Sequence, residues 1–193
     1  MDLLSLRQKY QDCQRCPFLV KNRTQVVFGS GNPQAKVLLI GEAPGVQEDE
    51  KGIPFCGQSG KVLDQLLSSI NLSREDIFIT NTILCRPPNN RNPTKTEVDN
   101  CHDRLNEVMN IMKPKIIVTI GNFATERILG KKGVTSLRGK KFTKKIENVE
   151  TKVIPIIHPA NYLYSGRNQE LMKMMLKDFQ TISQIINKNE KKI

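Results

Sequence analysis

Five thiols and a few polar side chains stand where this chain could do chemistry. Cys13 and Cys16 form a CxxC pair closed by Pro17, so two thiolates converge and the proline ring stops the preceding helix. Cys85 and Cys101 form a second pair separated by fifteen residues, and Cys56 is left over. In a reducing cytosol such thiols more often hold metal or do redox chemistry than form disulfides. Cys85 follows an apolar run, and Cys101 falls about two turns into a helical pattern that can reach back toward it. The two pairs can therefore close one tetrathiolate site; the plainer reading is four unrelated buried cysteines. Four thiolates suit Zn²⁺ and iron–sulfur alike, although the second pair lacks the CxxC of a zinc ribbon. Cys56, beside Phe55 in a glycine-rich loop, reads as a small packing residue.

The second constellation is polar. Glu42, Asn81 and His158 each sit at the end of a short apolar run. Taken singly, Glu42 is a solvated carboxylate, Asn81 a turn residue and His158 a strand cap. Three such groups at the same ends of parallel strands would instead converge on one crevice, where open α/β sheets bind ligands.

Four apolar runs would position them as strands: Val37–Ile40, Ile77–Thr80, Lys115–Ile120 and Lys152–Ile157. Between the first two, Val62, Leu63, Leu66, Leu67 and Ile70 mark a helix over about Ser59–Ile70. Thr94 and Glu97 make a capping box after Pro93, predicting one helix from Thr94 to about Met112. Further helices are expected over residues 2–12, Phe123–Leu129 and Gln169–Ile186, with short strands at Gln25–Phe28 and Phe142–Glu147. Alternating strands and helices predict a three-layer α/β/α sandwich around a mostly parallel, four-stranded sheet. Residues 1–193 read as one domain, ending in a disordered basic tail over about 188–193.

Thirty Lys and Arg against nineteen Asp and Glu give a formal charge of +11. That balance points to an anionic partner, nucleic acid first, against the plainer reading of a lysine-rich proteome. No basic segment followed by an apolar run marks a signal peptide, and no apolar stretch approaches the roughly 20 residues of a membrane span. A soluble, cytoplasmic monomer is expected.

Several segments together resemble the family 4 uracil-DNA glycosylases. Gly41-Glu42-Ala43-Pro44-Gly45 with Gly52-Ile53-Pro54-Phe55-Cys56-Gly57-Gln58-Ser59-Gly60 looks like that family's first motif. Ile79-Thr80-Asn81 and the stretch from Cys85 to Thr94 look like its central segment, and His158-Pro159-Ala160 like its second motif. The resemblance spans about Leu3 to Phe179.

The resemblance implies a repair enzyme that flips uracil from DNA and hydrolyses its N-glycosidic bond, at the nucleoid. Phe55 would stack under the base, and Asn81 would read N3–H and O4 with one carboxamide. Cytosine presents the reverse pattern, so a locked Asn81 rejects it. Glu48 would block the 5-methyl group of thymine; otherwise it is a solvated member of Glu48-Asp49-Glu50. His158 would donate to the charge developing at O2. Glu42 would position water or stabilise the sugar cation, because Ala43 replaces the aspartate of family 1 enzymes. Cys13, Cys16, Cys85 and Cys101 match the family's [4Fe–4S] ligands, in a structural role. Arg138, Lys140 and Arg167 are expected on DNA phosphates, within a basic loop that also holds Lys131, Lys132 and Lys141 or just beyond the second motif. Leu163 would be the wedge that fills the vacated stack. Two rivals stand beside this reading: a relative that bonds covalently to the abasic sugar, and a noncatalytic metal-stabilised nucleic-acid binder.

Overall fold

The computed structural model describes residues 1–190, with ten helices and six strands among them. α1 (Leu3–Tyr10) and α2 (Pro17–Asn22) precede β1 (Ser30–Gly31) and β2 (Val37–Gly41). α3 (Val46–Lys51) and α4 (Gln58–Ser68) lead to β3 (Ile77–Asn81). α5 (Lys95–Asn100) and α6 (His102–Met112) lead to β4 (Ile116–Ile120). α7 (Gly121–Leu129) and α8 (Val134–Leu137) come before β5 (Phe142–Ile146) and β6 (Val149–Ile156). α9 (Ala160–Tyr164) and α10 (Gln169–Glu190) follow.

The strands lie in the order β1-β3-β2-β4-β6-β5. The inner four are parallel to one another and correspond to the four apolar runs. The sheet has six strands rather than four, because β1 and β5 add antiparallel edges. Neither edge carries an apolar run. β1 is two residues long, and β5 alternates exposed and covered positions as an edge strand does. Pairing at Ser30–Gly31 replaces the strand expected at Gln25–Phe28.

Alternation along the inner strands builds two cores. Leu38, Ile40, Phe78, Ile117 and Val153 face α1, α6 and α7. Val37, Leu39, Ile79, Val118 and Ile154 face α4 and α10. Two cores on the two faces of a mostly parallel sheet make the expected three-layer α/β/α sandwich.

Two helical expectations change. The helix opened by the Thr94–Glu97 capping box breaks at Cys101, whose φ −95 and ψ 0 end α5 and start α6. α10 runs through Glu190, so the tail expected from 188 begins as helix, and 191–193 lie outside the described residues.

The helix after β2 lies on one face of the sheet, and those after β3 and β4 on the other. Following connections on opposite faces open a crevice at the carboxyl ends of β2 and β4.

Candidate active site

A cleft of about 380 Å³ opens at those strand ends, and Glu42, Ala43, Glu48, Phe55, Asn81 and His158 all line it. Asn81 ends β3, Glu42 follows β2, and His158 comes two residues after β6. The three polar groups read from strand ends therefore share one site.

Asn81 is 2% exposed, and its side-chain Oδ1 is buried with no hydrogen-bond partner. A buried carbonyl without a donor costs free energy unless a ligand supplies one. Its position is set by packing. A Cβ at Gly41 would collide with Asn81 Oδ1 and come within 2.7 Å of the Phe55 ring. Gly41 has no positive φ, so glycine is required there by the close approach alone. The Phe55 ring also stacks near His158, with centroids 5.6 Å apart and planes at 25°.

Phe55 adopts φ 52, the left-handed region that a bulky side chain rarely enters. Arg74, in the 3-10 turn before β3, holds it there. Its guanidinium donates to the carbonyls of Phe55 and Pro54 and is anchored by Asp64 at 2.7 Å. Gly60, in the first turn of α4, leaves room for the Phe55 carbonyl. No motif reading of the sequence pointed to Arg74; it acts on backbone oxygens, which leave no pattern in sequence.

His158 Nδ1 accepts a hydrogen bond from the Ala160 N–H at 3.1 Å. Burial lowers the pKa of the ring to about 4. The imidazole is thus neutral at pH 7, and with Nδ1 accepting, the proton belongs on Nε2. Burial alone raises the Glu42 carboxyl above its ordinary range. Such a carboxylate is a stronger acceptor for a water proton than an exposed one.

Glu48 is not solvated. One carboxylate oxygen accepts from Gly57 N–H at 2.9 Å and the other from Gly45 N–H at 3.1 Å. It staples both glycine turns of the pocket loop while remaining a wall of the cleft.

The four paired cysteines gather at one core, Cys85 and Cys101 within it and Cys13 and Cys16 packed against it. Burial pushes the Cys16 thiol up and the Cys85 thiol up to about 11, and the nearby Cys13 and Cys101 act in the same direction on both. Backbone and side-chain bonds lock the two pairs together. Arg23 donates to Cys85 Sγ at 2.9 Å and to the Cys13 carbonyl at 2.8 Å. Asn100 donates to Cys16 Sγ at 3.3 Å and to the Arg15 carbonyl at 2.9 Å. N–H groups aimed at sulfur suit thiolates. Among the described residues no three His, Cys, Asp or Glu side chains stand close enough to hold one metal ion. Four cysteines gathered at one core, with N–H donors on two of their sulfurs, suit zinc or an iron–sulfur cluster alike. Cys56 stands outside this group.

At the cleft mouth the details differ from expectation. Leu163 is half-buried and packs on the second core. Its neighbour Tyr164 is 86% exposed and lines the cleft. Arg138 is engaged elsewhere: its guanidinium forks onto buried Asp178, with both contacts at 2.8 Å, and clamps its loop to α10. Lys140 and Arg167 are exposed.

A family model described as the uracil DNA glycosylase superfamily matches residues 28–180. A type-4 uracil-DNA glycosylase of Sulfurisphaera tokodaii is 40% identical over 192 residues, covering 96% of this chain and 86% of the relative. Enzymes of the same name from Archaeoglobus fulgidus and Thermotoga maritima are each 39% identical, covering 95% and 97% of this chain and 92% and 95% of the relatives. Matches of that depth and length, together with a cleft lined by the motif residues, show that the chain belongs to the type-4 family of the uracil DNA glycosylase superfamily.

Proposed function

We propose that this protein flips uracil out of DNA and hydrolyses its N-glycosidic bond, leaving an abasic site for base excision repair. The observation that carries the reading is the unpartnered Asn81 Oδ1, buried in a cleft beside the Phe55 ring and the neutral His158. Uracil N3–H supplies the donor that oxygen lacks, and the amide nitrogen of the same side chain serves O4. Cytosine offers an acceptor where Asn81 has one already, so it leaves both unpaired. Phe55 gives the flipped base a stacking face. Glu48 walls off the space for a 5-methyl group, and its two backbone bonds keep that wall rigid.

Bond breaking sends an electron pair from the glycosidic bond into the uracil ring, toward O2. His158 Nε2–H stabilises that charge as a neutral donor. Glu42 holds the attacking water and faces the positive sugar, while Ala43 contributes no base. Water adds to the sugar C1′ and gives up a proton to solvent, and the leaving uracil anion takes a proton from solvent. Leaving-group stabilisation therefore dominates over general-base catalysis.

Lys140 and Arg167 neutralise DNA phosphates. Tyr164, rather than Leu163, enters the base stack from the cleft mouth, because its ring is exposed there while Leu163 packs on the core. Cys13, Cys16, Cys85 and Cys101 would hold a [4Fe–4S] cluster, which would supply a structural cross-link and no electron to the hydrolysis. The protein works as a single-domain monomer, with DNA in the cytoplasmic nucleoid.

The test is a single-uracil oligonucleotide incubated with anaerobically purified protein and then treated with alkali. Strand scission at the uracil is expected, with no protein–DNA adduct on a denaturing gel; an uncut strand would overturn the assignment. Iron and inorganic sulfide near four each per chain would support the cluster.

A further inference from the structure

Arg104, on α6, is the largest side chain of the described molecule with no solvent exposure. Its guanidinium donates to three successive residues at the end of β3. The acceptors are Thr80 Oγ1 at 3.0 Å, the Asn81 carbonyl at 2.6 Å and the Thr82 carbonyl at 3.0 Å. No carboxylate pairs with it among the described residues. Burial holds its pKa below the ordinary guanidinium range. A buried charge without a partner is costly, so its place needs a reason.

We propose that Arg104 is a positioning residue for base recognition, fixing the backbone of Asn81. The inference rests on reading the cleft as a uracil pocket. Asn81 and Cys85 lie at the two ends of one short segment, and Arg104 lies one turn beyond Cys101 on α6. The Asn81 carboxamide oxygen has no hydrogen bond of its own to hold it, so its aim depends on its backbone and on Gly41. A recognition group must be held to within about 0.5 Å to read a base edge. Three charge-assisted bonds from one rigid fork meet that demand, and a lysine ammonium cannot reproduce the fork.

The experiment compares the full-length, iron-loaded protein with Arg104→Lys, Thr80→Val, Asn81→Ala and the Arg104→Lys/Asn81→Ala double variant. It reads inhibition of cleavage by free uracil, kcat and KM separately, and iron and sulfide content. Arg104→Lys is expected to weaken inhibition by uracil about tenfold, as for loss of one hydrogen bond to a charged group, with iron content unchanged. In the Asn81→Ala background the same substitution should add no further loss, because the two act through one contact. Thr80→Val removes one acceptor and should weaken inhibition in the same direction by a smaller factor, which keeps the test alive if Arg104→Lys does not fold. Unchanged uracil inhibition in folded Arg104→Lys or in Thr80→Val overturns the role. So do fully additive losses in the double variant, or a loss of uracil affinity that only tracks loss of iron. Wild-type protein that leaves uracil DNA uncut removes the functional reading and this inference with it; wild-type cleavage with unaltered variants removes Arg104's role alone.

Discussion

His158 can donate from Nε2 because the Ala160 N–H already occupies Nδ1. Replacing it with Ala should lower kcat by about 10² to 10³, the size expected for one lost donor at a developing oxyanion, with substrate affinity much less affected. Single-turnover cleavage beside equilibrium DNA binding separates the two. With its pKa near 4, the imidazole stays neutral from pH 5 to 9 and should contribute no inflection near 6.5. Glu42 titrates in the opposite sense: its carboxylate is the working form, burial raises its pKa, and activity should fall as pH drops through a value above the ordinary carboxylate range. Glu42→Gln should remove that acid limb, leaving a flat, slower profile. At Glu48 the sequence supported two readings, a solvated carboxylate or a methyl block. The backbone bonds it makes exclude the first. Glu48→Ala should open measurable cleavage of thymine-containing DNA; uracil activity lost with no gain on thymine would leave Glu48 as a loop staple only. Glu42, Asn81 and His158 were legible because each ends an apolar run. Arg74 and Arg104 were not, because their partners are mainly backbone carbonyls fixed by tertiary geometry.

The inner strands could be read because residues buried on both faces form continuous apolar runs. Other elements left no such mark. α2, α3, α8 and α9 are four to six residues long, too short for a 3.6-residue period to show. β1 exists only by pairing with β3, and the break at Cys101 is set by dihedral angles that a capping box does not foretell. The pocket loop is where these elements matter most. α3 presents Glu48 to both glycine turns, and Arg74 holds Phe55 at a positive φ. Gly41→Ala tests the loop from the strand side, since the added methyl meets both Asn81 and Phe55. Uracil cleavage should fall at least tenfold, with roughly 1 to 3 kcal/mol lost from unfolding stability through overpacking. Activity assays and urea denaturation on one preparation measure both.

Across the whole molecule, the charge of +11 accounts for affinity to DNA in general rather than for choice of base. Within that field the basic residues divide by their partners. Arg138→Ala should leave the salt dependence of DNA binding unchanged, because its guanidinium is committed to Asp178. It should instead lower Tm by on the order of 10 °C, since a buried carboxylate loses its partner. Lys140→Ala and Arg167→Ala should each reduce the slope of log affinity against log salt by about one, with little change in Tm. Charge composition made nucleic acid the leading partner from the sequence, but only folded contacts tell a clamp from a phosphate ligand. The gathering of the four cysteines also carries a consequence for synthesis. On the ribosome they cannot meet until Cys101 has emerged, and by then β2, β3 and Asn81 are already made while β4 and His158 are not. The half of the pocket that reads the base can be anchored during translation, before the half that breaks the bond exists.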